Sequence, residues 1–324
     1  MTKRIPLVAL LSLLAIPAVA CNIPVFRFAL ERWASDRLKV TVFVEGSISN
    51  EDLDLWKQLD AVSDDGTKSN IETEWVHLLE KQNPARREVW KRLKGIHPEI
   101  KMPYVMIEGK HARGPFIAWH GPLQESMSAL KSPIRIELGK RLTSGDAIVW
   151  LVLQSTKDEG ANKRVQEMLQ VETEKLSQSL ALPEGIGLPG SELFSEVPLL
   201  LKFSSLKFSR DNFKEGYLLQ MLAGIQPEAF EKDEPLVVPI FGRGRALEVI
   251  PASQLTPALL RDLTGFLCAA CSCQVKEQNP GFDLLLDLDW DRELFGDEGE
   301  RPPASTAGGL KQQKKVLLTI PPGK

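Results

Sequence analysis

Hydrophobic and polar positions along the 324-residue chain change period several times, and each change marks an element. Residues 38–44 (Leu-Lys-Val-Thr-Val-Phe-Val) are β-branched and aromatic, the preference of a strand. Residues 49–59 place Leu55, Trp56 and Leu59 at helical spacing behind a Ser/Asn start. A strand over 72–79, a helix over 87–96 and a strand over 103–107 follow. A turn carrying Gly109 and Gly114 then leads to a strand over 116–119 and a helix over 123–130. The predicted order is β-α-β-α-β-β-α.

A bridging helix over 133–142 separates this run from a second one of the same order. Residues 147–153 form an almost continuous apolar stretch, as in a strand covered on both faces. A long helix then carries Val165, Met168, Leu169, Leu176 and Leu180 on one stripe and ends before Pro183. Strands are predicted over 197–203, 236–241 and 246–250, with helices over 213–222 and, from Pro257 to Cys268, a proline-started one. A last strand over 283–290 has no counterpart in the first run. One order of elements met twice at long period predicts a duplicated α/β unit. The predicted boundaries are a signal peptide over 1–20, an N-terminal segment over 21–36, a first unit over 37–131, a helical connector over 132–145, a second unit over 146–295 and a disordered tail over 296–324.

The order resembles the thioredoxin fold, with Met102–Pro103 in the place where that family has a cis-proline before a strand and Glu234–Pro235 as the second such pair. The resemblance implies two thioredoxin-like βαβαββα units in tandem, with Pro103 and Pro235 in cis. It does not carry the family's chemistry. Where the first strand of each unit meets its helix, thioredoxin-like enzymes have Cys-x-x-Cys, with one thiol activated at a helix start. Here those places read Glu45-Gly-Ser-Ile-Ser49 and Gln154-Ser-Thr-Lys-Asp158. The stretches 21–33, 241–245 and 271–281 are also similar to those of uncharacterised exported bacterial proteins, a resemblance that implies no activity.

The first residues set the expected compartment. Lys3 and Arg4 precede an apolar run over 5–20 that ends Ala18-Val-Ala20, the pattern of a cleaved export signal. A membrane-spanning helix needs about 20 apolar residues, more than this run offers. Cys21 follows the expected cut and is a lipidation candidate, although Ala18 is smaller than the aliphatic residue usual in a lipobox and residues 22–33 are too apolar for a loose tether. A single acyl chain anchors only marginally without a second signal. The expected location is therefore the periplasm or cell envelope, at the membrane only if Cys21 is acylated.

The formal net charge of −3, without a long basic run, argues against nucleic acid as a partner. The four cysteines are the densest chemical feature: Cys21 and the cluster Cys268, Cys271 and Cys273. Export favours a disulfide, and tying Cys21 to the cluster would close a very long loop. A Cys271–Cys273 bridge would be strained and easily reduced, which suits redox work. Three thiolates also suit copper(I) or zinc.

Asp287, Asp289 and Asp291 partly match a calcium loop but lack its glycine, and alternating aspartates on the wet face of a strand explain them more simply. Arg243 and Arg245, in Phe-Gly-Arg-Gly-Arg, offer an anion site or else a hairpin turn with solvated arginines. The four histidines, His77, His97, His111 and His120, lack ligand spacing. No nucleophile triad, carboxylate pair, phosphate loop or cofactor motif is legible. The expectation is a non-catalytic binding or assembly module with a protein partner in the envelope, with a thiol-based redox or copper-handling protein using Cys271 and Cys273 as the alternative.

Overall fold

The computed structural model describes residues 22–63, 69–80, 83–111, 114–272, 275 and 278–302. The expected signal peptide, Cys21, Cys273 and most of the tail lie outside the described residues.

The first unit runs β1 (Leu38–Val44), α2 (Asn50–Ser63), β2 (Ile71–His77), α3 (Pro84–Ile96), β3 (Tyr104–His111), β4 (Gly114–Pro122) and α4 (Ser126–Leu130), after an N-terminal helix α1 (Val25–Arg32). Its strands stand in the order β2-β1-β3-β4, with β1 and β2 parallel and the other pairs antiparallel. Helix α3 packs Leu93 on one face against Phe43 and Met106. Leu59 of α2 and Leu130 of α4 pack on the other face with Val40, Val42 and Val44.

Connector α5 (Pro133–Thr143) is capped by Ser132 and leads into the second unit. That unit runs β5 (Asp146–Gln154), α6 (Glu159–Ser179), β6 (Lys202–Ser209), α7 (Gly216–Ile225), α8 (Pro227–Glu231), β7 (Leu236–Phe241), β8 (Arg245–Ala246), β9 (Ile250–Pro251) and α9 (Pro257–Cys268). β10 (Phe282–Asp283) and α10 (Trp290–Phe295) follow. The order is β10-β8-β7-β5-β6, with β5 and β6 parallel, β5 and β7 antiparallel, and β9 also on β7. Both sheets are mixed, with the strand order of a thioredoxin-like unit, so the fold is α/β with two such units in tandem.

Three predicted strands are corrected. The stretch expected over 197–203 begins only at Lys202 and runs to Ser209. There Leu206 and Phe208 alternate inward with polar neighbours, while upstream Val197 and Ser195 give their carbonyls to the buried Arg27. The strand expected over 246–250 is split, because Gln226 takes the Val249 carbonyl and no ladder forms at Leu247–Val249. The strand expected over 283–290 pairs only at Phe282–Asp283. Beyond it Leu284, Leu285 and Leu286 are buried consecutively, because the segment is wedged between the two units. Leu284 N–H donates to the Gly244 carbonyl at 3.1 Å, and side chains meet the neighbouring backbone groups. Asn70 Nδ2 donates to the Leu284 carbonyl and Asn70 Oδ1 accepts from Leu286 N–H, while Tyr217 Oη accepts from Leu285 N–H.

One apolar cluster therefore includes β1, α4, α5, β5, α7 and this wedge. On β4, the edge of the first sheet, the side chain of Gln220 (α7) takes both backbone groups of His120, at 3.0 and 3.1 Å. An edge strand so covered has less backbone left to pair with another chain.

Candidate functional site

In a thioredoxin-like unit the chemistry sits where the first strand meets its helix, facing the loop before the antiparallel strand. In the first unit, Asp52 N–H donates to Ser49 Oγ at 3.0 Å, an ordinary helix cap, and Gln124 donates to the Asp52 carboxylate. The Met102–Pro103 peptide facing it is cis. Ser49 Oγ in turn donates to the Asp52 carboxylate at 2.8 Å, and His77 Nε2 lies 3.2 Å from the Gly46 carbonyl of the same loop.

The second unit's corner is tightly wired. Asp233 adopts a left-handed backbone (φ 56°) between α8 and β7 and points its carboxylate back at residues 155–157. Its Oδ2 accepts from Ser155 Oγ (2.6 Å), Thr156 N–H (2.8 Å) and Lys157 N–H (2.9 Å). Arg210 lies 2.8 Å from Oδ1 and stacks its guanidinium on Phe230. Ser155 Oγ also accepts from Asp158 N–H, and Asp158 caps α6 through Ala161 N–H. Burial alone would raise the Asp233 carboxyl, but Ser155, the two amides and Arg210 outweigh it and hold it below its ordinary value. Amides at a helix start favour an anion. In this chain an internal carboxylate already fills that role.

This wiring also explains why Pro235 departs from expectation. The Glu234–Pro235 bond is not cis; among the described residues the cis bond is Met102–Pro103. Asp233 makes the turn into β7 in its place, and the Pro235 carbonyl accepts from Ala252 N–H at 2.9 Å.

Beside Asp233 lies an open cleft of about 470 Å³, walled by α6, the 232–235 loop and the 252–255 turn. Val165, Met168 and Pro235 give it an apolar floor, and Lys157, Arg164 and Lys232 stand exposed at its rim. Its carboxylates are engaged: Asp233 as above, Asp158 on the α6 cap, and Glu234 with Ser253 N–H. The nearest rim pair, Arg164 with Asp158 at 3.7 Å, is mostly exposed on both sides and holds the arginine weakly.

Sequence reading missed Asp233. The available signal was an aspartate, a residue that tolerates positive φ, two places before a strand-opening proline and matched to a Ser-Thr helix start.

The cysteines stand elsewhere. Cys268 ends α9 and is buried, and burial pushes its thiol up to about 12. Cys271 is buried as well, and its N–H donates to the Ile23 carbonyl at 2.9 Å. Together with the Pro24–Ala270 bridge and Val25 N–H on the Ala269 carbonyl, this fastens the N-terminal segment beside the cluster. Among the described residues no group of three or more metal-ligating side chains converges.

Arg243 and Arg245 are neither an anion site nor solvated. Arg243 donates to the Leu30 and Glu31 carbonyls and to Asp291. Arg245 donates to the Pro280 and Asn279 carbonyls and pairs with Asp283 at 2.9 Å. Gly242 (φ 56°) lies where a Cβ would meet the Ala29 methyl at 2.6 Å, so close packing of α1 on the turn requires glycine. The aspartates read as a calcium loop are also spent: Asp287 on Lys131, Asp289 on the α10 cap and Asp291 on Arg243. Of the histidines, His97 and His120 come together with ring centroids 4.6 Å apart, and Tyr104 Oη lies 2.9 Å from His120 Nδ1. Burial first, then His97, lowers the His120 pKa.

No protein-family model matches the chain, and no curated protein matches it. Among solved structures, the first two thioredoxin domains of Naumovozyma dairenensis Eps1p match at 10% identity, over 71% of this chain and 91% of that one, with a TM-score of 0.20. The fold assignment rests on the two strand orders, not on that likeness.

Proposed function

We propose that this chain is an exported cell-envelope protein that binds a protein partner without catalysing a reaction, and that it does so through the cleft at the start of α6. The observation that carries the reading is Asp233, which spends the loop amides on a carboxylate of the chain's own. A site so neutralised activates no nucleophile, yet the cleft beside it stays open. Engaged carboxylates and exposed Lys157 and Lys232 favour a ligand that brings carboxylates of its own, and the apolar floor favours one with an apolar side chain between them. The ligand is accordingly read as an extended acidic peptide segment.

The test is fluorescence anisotropy with labelled peptides of matched length, one acidic with a central leucine and one with its acids replaced by lysine. The acidic peptide is expected to bind, with affinity falling at higher salt and dropping at least tenfold in a Lys157→Glu, Lys232→Glu variant. Equal binding of both peptides, or reduction of protein disulfides by the chain at an enzymatic rate, would defeat the reading.

A further inference from the structure

Two of the four histidines, without ligand spacing in the sequence, are brought together by the fold. His97 is the C-cap of α3, where its N–H donates to the Leu93 carbonyl at 2.9 Å. His120 stands on β4, with both backbone groups clasped by Gln220 of α7. The two backbones are thus fixed, and the rings lie with centroids 4.6 Å apart, tilted by 43°. Tyr104, the first residue after the cis Met102–Pro103 bond, reaches the His120 ring with its Oη. The pair therefore sits at the corner of the first unit, at the opposite end of β3 and β4 from the His111–Gly114 hairpin.

Each ring meets an oxygen on its Nδ1 side. Tyr104 Oη lies 2.9 Å from His120 Nδ1, and a Glu99 carboxylate oxygen lies 3.8 Å from His97 Nδ1. A histidine that turns Nδ1–H toward an oxygen keeps the Nε2 lone pair free, which is the tautomer that binds a metal ion. Among the described residues neither Nε2 has a hydrogen-bond partner, and neither is sealed from solvent. The spacing suits an ion as well. An ion about 2.0–2.1 Å from each Nε2 stands about 3.2 Å from each ring centre, so imidazoles at a square or tetrahedral corner have centres about 4.5–5.2 Å apart. The observed 4.6 Å falls within that span. Glu99 and Glu125, both exposed, bring negative charge to the same place, since both act on Tyr104.

We propose that His97 and His120 form a two-histidine site for a late first-row divalent cation, with both Nε2 atoms as ligands and with Tyr104 and Glu99 orienting the rings from behind. Copper(II) heads the affinity order for such nitrogen sites, ahead of nickel and zinc. Among the described residues no third His, Cys, Asp or Glu converges on the pair, so water completes the coordination and the ion stays exchangeable. The site lies on the other unit from the peptide cleft and does not rest on that reading.

The full chain, its reachable thiols first blocked with N-ethylmaleimide, is titrated with copper(II) sulfate and followed by electron paramagnetic resonance. The expected result is one ion per chain, with hyperfine splitting from two imidazole nitrogens. H97A and H120A should each weaken binding about tenfold or more, and H111A, at the far end of β3, should leave it unchanged. Circular dichroism checks that each variant folds, and H97A alone carries the test should H120A fail to, because the His97 side chain is 36% exposed. Unchanged affinity in H97A, an equal loss in H111A, or a spectrum without two nitrogens would overturn the proposal. Failure of the acidic-peptide assay would leave it standing.

Discussion

The guanidinium of Arg135 lies over the ring of Tyr217, 4.6 Å from its centroid, and this contact joins the connector helix to the second unit. The same guanidinium donates to the carbonyls of Ala129 and Leu130 at the end of the first unit and to Leu285 in the wedge. Three segments distant in sequence thus meet at one buried cation, whose pKa burial lowers to about 10. Arg135→Ala is expected to cost about 3 kcal/mol or more, since it strands several buried carbonyls at about 1–3 kcal/mol each. Arg135→Lys should rescue little, because an ammonium cannot reproduce the planar fork. Urea denaturation followed by far-UV circular dichroism measures both. Because the core is shared, each variant should still unfold in one transition; two separate transitions would contradict the shared core.

Asp233 predicts a pH dependence of one sign. Its folded pKa is held below the ordinary value, so its contribution to stability is present at neutral pH and is lost as pH falls below about 4 through the folded value. Asp233→Asn should lower stability at pH 7 by about 1–3 kcal/mol and flatten the acid limb of the stability profile. Denaturant midpoints between pH 2 and 7 decide this, and an unchanged acid limb would contradict it.

Asp283 predicts the opposite sign. Burial raises its carboxyl to about 6, against the pull of Arg245 and of Asp36 N–H. The folded state then binds a proton that the unfolded chain releases near pH 4, so this contribution is complete at low pH and lost as pH rises through 6. The swing is at most about 3 kcal/mol at 1.36 kcal/mol per pKa unit. Asp283→Asn should remove the slope between pH 4 and 7 while leaving the Asp233 limb below it.

Cys268 predicts silence toward thiol reagents. A buried thiol raised to about 12 carries almost no thiolate at neutral pH. Iodoacetamide at pH 8 should leave it unmodified in the native protein and label it in denaturant, as read by peptide mass spectrometry. Rapid native labelling of Cys268 would contradict its burial.

Much of the fold was legible because period carries it. The all-apolar run at 147–153 and the stripe from Val165 to Leu176 lie where pattern alone put them, in β5 and α6. The three leucines at 284–286 misled, because a segment enclosed on every side has the composition of a central strand whether or not it has a ladder. Its true partners, Asn70, Arg135 and Tyr217, are distant in sequence and leave no local trace. The candidate site was half legible. Missing cysteines at both helix starts are visible in the string of letters, whereas the replacement carboxylate comes from a loop some 75 residues on and is visible only once β5 and β7 are paired.

Helix α6 has 21 residues, and at 1.5 Å per residue its two ends are about 30 Å apart. The cleft opens at one of them, so a substitution at the other leaves the lining of the groove untouched and separates loss of binding from loss of stability.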